Sequence, residues 1–194
     1  HEEISIDDPI LASCDRIIAA TGAHPVNPPI KGVDGDNVIG VKDAHKAPEK
    51  IAGKRVVVCG GGLSGADLAL ELATEWGRDC TIVEMQPDIA NDMVFINAHS
   101  LKVFLREADV TVRTSCRVCR MDESGVTVIN ADGVEELIPA DTIVTAFGMA
   151  RNSELPEQLK ARYNKKTICV GDCVEVAKSG KAIRSGFYAG MQVD

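Results

Sequence analysis

The stretch from Arg55 to Glu84, RVVVCGGGLSGADLALELATEWGRDCTIVE, decides how the rest of the chain is read. It opens on Arg55-Val56-Val57-Val58-Cys59, whose β-branched apolar run predicts a strand buried on both faces. Gly60-Gly61-Gly62-Leu63-Ser64-Gly65 follows and places glycine at every position of a G-x-G-x-x-G turn. Ala66 to Ala73 is rich in strong helix formers, with Leu68 and Leu72 on one face. A second apolar strand, Thr81-Ile82-Val83, ends in Glu84.

Each part has a physical reason. Gly60 permits a tight turn, Gly62 removes a Cβ that would block a diphosphate, and Gly65 lets helix and strand pack closely. The first N–H groups of a helix lack intrahelical acceptors, so those around Leu63, Ser64 and Gly65 are free for phosphate oxygens. Glu84 closes the second strand about 20 residues beyond the last glycine, where a carboxylate can accept both hydroxyls of a ribose. A 2′-phosphate would meet like charge there, which favours NADH over NADPH. Arg78, the nearby cation of this unit, precedes the second strand and weakens that preference only slightly. Glycine-rich turns are often just turns, but here strand, helix, second strand and terminal acid all stand in order around one.

With 194 residues, 45% apolar and 26% charged, the chain has the composition of an ordinary globular protein with ample material for a core. Its net charge of −8 argues against nucleic acid or an anionic membrane as the main partner. No apolar run approaches a membrane span and no signal peptide is visible. Seven cysteines, an odd number without repeating spacing, fit a reducing cytoplasm better than a disulfide framework. The chain starts on His1 rather than Met and ends at Met191-Gln192-Val193-Asp194 without a closing element, so it is expected to be excised from something longer.

In chain order, Asp7-Asp8-Pro9 predicts a helix start, and Arg16 to Ala20 predicts a short buried strand stopped by Thr21-Gly22. Residues 23–50, with Pro25, Pro28, Pro29 and Pro48, read as a linker holding one extended piece at Asn37–Gly40. A domain boundary is placed near 48–54. Beyond Glu84 the spacing predicts a helix over 97–107 and then strands at 110–113, 117–121, 125–129 and 135–139, the last pair joined by the hairpin signal Asn130-Ala131-Asp132-Gly133. A buried strand, Thr142 to Ala146, runs into Phe147-Gly148. Asp15 to Gly22 and Asp141 to Gly148 share one device: an Asp, an apolar strand and a terminal glycine. Residues 152–166 read as polar surface, Thr167 to Cys173 as a strand with a Gly171-Asp172 turn, and Ala182 to Val193 as a final helix.

Ala20-Thr21-Gly22, the Gly60–Gly65 turn, Glu84, Ala146-Phe147-Gly148 and Gly171-Asp172 together resemble the pyridine nucleotide–disulfide oxidoreductase superfamily. The resemblance covers essentially the whole chain and implies an NADH domain inserted into an FAD domain. Val83-Glu84-Met85 makes the central unit look most like the C-terminal portion of Old Yellow Enzyme-like NADH:flavin oxidoreductases, the group of 2,4-dienoyl-CoA reductase and 2-enoate reductase. The implied fold is α/β: a Rossmann-like central parallel sheet with an antiparallel meander, flanked by partial FAD-domain elements. The implied division is 1–48 as partial FAD-domain segment and linker, 49–148 as the NADH domain, and 149–194 as the FAD-domain return.

The implied cofactor contacts are Gly60, Gly62, Leu63, Ser64 and Gly65 with the diphosphate, Glu84 with the ribose and Met85 with the adenine. Ala146, Phe147 and Gly148 would border the nicotinamide of NADH. Gly171 and Asp172 would approach the FAD ribitol in the complete enzyme. No second glycine turn precedes residue 22, and nothing matches the FMN barrel or the iron–sulfur segment of the Old Yellow Enzyme-like group. The chain's partners are therefore expected to be NADH and the missing N-terminal FAD and FMN parts of the same polypeptide, and the fragment alone is expected to be inactive. Whether the end segments fold within one chain or pair with another copy in a homo-oligomer stays open, as does a stand-alone nucleotide-binding module.

Other conspicuous residues are read as follows. Cys116 and Cys119 form a C-x-x-C, but thioredoxin reductase-like relatives carry their dithiol before the NAD turn, and no helix flanks this pair to lower a thiol pKa, so structural roles are expected. Zinc would need two further ligands, and none stands nearby. Asp67 suits either the place where the family often has Glu or favourable interaction with the helix end. His24, His45 and His99 read as isolated surface or packing residues, Trp76 as packing, and Asp132, Glu135 and Glu136 as a solvated hairpin.

Overall fold

A short helix, α1 (Ile10–Ser13), and two short strands, β1 (Ile17–Ala19) and β2 (Ala23–Pro25), open the computed structural model, which describes residues 3–193. His1, Glu2 and Asp194 lie outside the described residues. Next come β3 (Val38–Gly40), α2 (Val41–Lys46), β4 (Arg55–Cys59), α3 (Leu63–Thr74), β5 (Asp79–Val83) and α4 (Phe95–Glu107). Then follow β6 (Thr111–Arg113), β7 (Arg117–Asp122), β8 (Gly125–Ile129), β9 (Glu135–Pro139) and β10 (Thr142–Thr145). The chain closes with β11 (Met149–Arg151), α5 (Glu154–Tyr163), β12 (Thr167–Cys169) and α6 (Ser179–Gly190). Residues 27–148 form one compact unit, and the chain on either side of them forms the other.

The inner unit is built on a parallel sheet of order β3-β10-β4-β5-β6. Successive side chains of a strand point to opposite faces, and β4 shows what that does here. Val56 and Val58 enter a core with Leu68, Leu72 and Ala69 of α3 and Leu101 and Leu105 of α4. Val57 and Cys59 enter a second core with Met121, Val126, Val128 and Ile138 of the antiparallel sheet β7-β8-β9. Helices thus cover one face and the meander the other, which is why β4 tolerates an unbroken valine run. Both sheets and their topology match the expected α/β architecture.

The segment expected as a linker is largely structured. β3 pairs in parallel with β10, Ala44 of α2 is fully buried, and the Lys31 backbone carbonyl accepts the Met121 N–H at 2.8 Å. Division therefore falls after residue 26 rather than near 48–54. Prolines and glycines hid these elements because their stability comes from the sheet and the meander rather than from local periodicity.

The outer unit pairs β2 with β11 antiparallel and β1 with β12 in parallel, and its core gathers Leu11, Ile17, Ala19 and Leu159. Residues 152–166, expected as polar surface, contain α5, whose Pro156 and Leu159 are buried. The strand expected over 167–173 stops at Cys169, and Gly171–Cys173 forms a 3₁₀ turn. The final helix starts at Ser179, earlier than expected, and ends at Gly190. His24 is not isolated: its ring Nδ1 lies 2.6 Å from Asn152 Oδ1. No helix among the described residues is long and apolar enough to cross a membrane.

One carboxylate ties β10 to β4. Asp141 accepts the backbone N–H groups of Lys54 and Arg55, each at 2.9 Å, and the Arg55 guanidinium. The Arg55 side chain, followed by those two N–H groups, holds the Asp141 carboxyl well below the usual carboxylate range. A depressed folded-state pKa contributes stability that is present above the unfolded value of about 4 and is lost as pH falls below it. The stability gap between the parent protein and Asp141→Asn, measured by urea unfolding, is therefore expected to shrink steadily from about pH 5 to pH 2. A gap independent of pH would refute this role.

Candidate functional site

β4 delivers the chain to Gly60, whose φ of +117° lies in the region that L side chains rarely adopt. A Cβ there would also sit 2.2 Å from the Ala146 carbonyl oxygen. Gly65, one turn into α3, comes so close to β4 that a Cβ would lie 2.0 Å from the Gly60 carbonyl oxygen. Gly62 is different. Its φ of −67° is ordinary, and an added Cβ would meet nothing nearer than Asp92 Oδ1 at 3.9 Å. The fold does not require glycine at 62; the open space beside it does.

That space belongs to a cavity of about 560 Å³ within the inner unit, a volume in the range of ligand sites. Gly60, Gly62, Glu84, Met85, Ala146, Phe147 and Gly148 all line it. Leu63 and Ser64 are exposed at the start of α3 and Gly65 is buried behind the turn, so these three stand outside the lining. Gly171 and Asp172 lie in the outer unit. There Gly171 donates its N–H to Ser185 Oγ at 3.0 Å, and Asp172 Oδ1 accepts the Ala177 N–H at 3.4 Å. The cavity has a second wall that sequence reasoning missed: Pro28, Pro29 and Ile30 from the supposed linker, with Cys116, Arg117 and Val118. Nothing in the local pattern of these residues marks them, since only the pairings of β3 with β10 and of β7 with β8, and the Lys31–Arg120 bridge, bring them to the end of the parallel sheet.

Glu84 is half-buried, and both of its carboxylate oxygens are held. Oε2 accepts the Gly61 N–H at 2.7 Å and Oε1 the Gln86 N–H at 2.7 Å. The acid at the end of β5 is thereby fixed to the glycine turn after β4. A carboxylate offers about four lone-pair sites, so two remain for hydroxyl donors from the cavity. The residues present thus fit a diphosphate-linked nucleoside: an open cradle at Gly62, helix N–H groups beside it, and an oriented anion one strand away.

A residue absent from the sequence reading also reaches this turn. Asp92 Oδ1 accepts the Leu63 N–H at 3.1 Å, and α3 has neither a side-chain cap of its own nor an acid in its first turn. Asp67 is exposed one turn further on. His45, read as isolated, pairs through Nδ1 with Glu71 Oε2 at 2.9 Å. His99 stacks on Phe95 with ring centroids 6.4 Å apart. Trp76 is 39% exposed after α3, so it packs only in part. Glu136 departs from the solvated-hairpin reading: it bonds Arg113 and Asn130, and the Arg113 guanidinium lowers its pKa. Cys116 is buried while Cys119 is half-buried, and both are free thiols. Among the described residues no cluster of three His, Cys, Asp or Glu is placed to hold a metal.

The model of the pyridine nucleotide-disulphide oxidoreductase family matches residues 7–179, and the chain belongs to that family. By its name the family is one of pyridine-nucleotide-linked oxidoreductases. An NADH oxidase of Thermoanaerobacter brockii is 35% identical over 191 residues, covering 93% of this chain and 28% of that protein. A bilirubin reductase of Mediterraneibacter gnavus is 35% identical over 178 residues, covering 90% and 27%. The solved complex of a 2-naphthoyl-CoA reductase with 2-naphthoyl-CoA superposes with a TM-score of 0.85 at 28% identity, over 98% of this chain and 29% of that one. The chain spans under a third of the length of each of these relatives.

The two cores flanking β4 make a prediction about thiols. Burial pushes the Cys59 and Cys80 thiols up to about 12, so neither carries appreciable thiolate near neutrality. Iodoacetamide at pH 8 under native conditions is expected to leave both unmodified while Cys119 reacts, as read by mass spectrometry of the digested protein. Equal labelling of Cys59 and Cys119 would contradict the burial.

Proposed function

We propose that residues 27–148 bind NADH and orient its nicotinamide for hydride transfer to a flavin in a longer oxidoreductase. What carries the reading is the convergence of the Gly62 cradle, at the N-cap of α3, and the anchored Glu84 carboxylate on one cavity. The diphosphate would lie over Gly62 against the N–H groups of Leu63 and Ser64, and the adenosine ribose would donate to Glu84. Met85 and the Pro28-Pro29 wall would flank the adenine, while Ala146-Phe147-Gly148 would border the nicotinamide. The flavin supplies the electron acceptor; this chain's residues bind, orient and exclude water.

The outer unit, with Gly171 and Asp172 placed towards the FAD ribitol, would be the closing part of an FAD domain. Exposed Ile183, Phe187 and Tyr188 on α6, with Met191 just beyond it, support a further part of the same polypeptide covering that helix. Similarity to the 2-naphthoyl-CoA reductase structure supports an Old Yellow Enzyme-like reductase acting on an unsaturated acid or its CoA thioester. The seven free cysteines support a cytoplasmic setting.

The Glu84 geometry gives a test that separates binding from folding. A hydrogen bond to a charged group is worth about 1.5–3 kcal/mol, so Glu84→Ala is expected to weaken NADH binding about tenfold or more. Because the same acid repels a 2′-phosphate, NADPH binding should fall less, and the preference for NADH should shrink. Calorimetric titration with both nucleotides reads this directly; an unchanged ratio would refute the ribose assignment even if the variant is less stable. Gly62→Val, whose ordinary φ places no strain on the fold, should abolish NADH binding and leave the thermal midpoint nearly unchanged. Retained binding would put the diphosphate elsewhere.

A further inference from the structure

The loop after Glu84 lies against the glycine turn. Ala90 donates its N–H to the Gly61 carbonyl at 2.8 Å, and the Ile89 side chain, 3% exposed, packs so closely that a Cβ on Gly61 would lie 2.6 Å from it. Asp88, within the loop, pairs with Lys102 of α4 at 2.5 Å. With its base held in this way, the loop carries the exposed Asp92 to the start of α3, where its carboxylate takes the Leu63 N–H at 3.1 Å. α3 presents unpaired N–H groups and the positive end of its dipole there, and its own first turn supplies no acid. A carboxylate from a distant loop therefore occupies the position that the NADH reading gives to a phosphate oxygen.

We propose that Asp92 is a placeholder anion that lowers affinity for the dinucleotide and must release the Leu63 N–H before the diphosphate is received. The inference rests on the NADH reading above. One N–H cannot serve a carboxylate and a phosphate oxygen together, and two anions about 4 Å apart repel. The release needs no unfolding of the loop. Ile89 and Ala90 stay packed on the turn, while rotation about the Asp92 side chain carries its carboxylate into solvent. The apparent affinity is then the intrinsic affinity reduced by the fraction of molecules in which Asp92 has let go. When no dinucleotide is bound, the same contact satisfies an orphan donor and steadies the helix end.

Calorimetric titration of NADH into the full chain and its Asp92→Asn and Asp92→Ala variants tests this. Asn keeps an acceptor for Leu63 but removes the charge; Ala removes both. The expected order is parent weakest, Asn tighter and Ala tightest, with Ala roughly fivefold above the parent at low salt. The gap should narrow in high salt because exposed charges are screened. Affinity unchanged or weakened in both variants overturns the placeholder and leaves NADH binding standing. No NADH binding by any of the three overturns both readings.

Discussion

A close backbone approach in the inner unit, Gly65 against the Gly60 carbonyl, sets everything around the cavity. A methyl group on Gly65 would force α3 away from the end of β4, and the start of the helix would no longer face the end of the strand. Because the approach is permitted, Gly61 can donate to Glu84 across from the neighbouring strand, and the glycine turn and the acid become one rigid part. Ala146 closes the third side, its carbonyl filling the space that any side chain on Gly60 would claim. Three parallel strands, β10, β4 and β5, thus end at one level, and the groups at their carboxyl ends share one cavity.

The two cores work unequally on this arrangement. On the helix side, Leu68 and Leu72 lock α3 to Val56 and Val58, which holds the orientation of the helix dipole. On the meander side, Val57, Cys59 and Val83 pack on Met121, Val126 and Val128, which carries Cys116, Arg117 and Val118 to the rim of the cavity. The first core places the polar machinery, and the second builds the apolar wall facing it. A ligand with one charged and one flat aromatic part suits such a cleft.

Much of this was legible in the sequence, and the boundary of legibility has a physical cause. The glycine turn, its flanking strands and the meander are signalled by contiguous residues, because β-branched runs and glycine at positive φ are local demands. β8 and β9 were readable to the residue. α2 and α5 were missed because a six-residue helix and one with few apolar residues draw their stability from tertiary contacts, here the burial of Ala44 and Leu159. Pairings such as His45 with Glu71, or Arg113 with Glu136, are invisible in a linear pattern. At the site, Gly62 and Glu84 were legible because their spacing reflects one strand–helix–strand unit. Pro28, Val118 and Asp92 were not, since each reaches the turn from an element whose position the fold alone decides.

The antiparallel pairing of Pro25 with Met149 bears on how the chain assembles. The polypeptide leaves the outer unit and returns to it at neighbouring points, with the whole inner unit between them. In an unfolded chain, bringing those points together carries the entropy of closing a very long loop. Once the inner unit has formed, the effective tether is short, and β2, β11, β1 and β12 can zip together cheaply. A defect in the inner sheet is therefore expected to cost the outer unit its partnering as well, whereas damage to α5 or α6 leaves the inserted half able to form on its own.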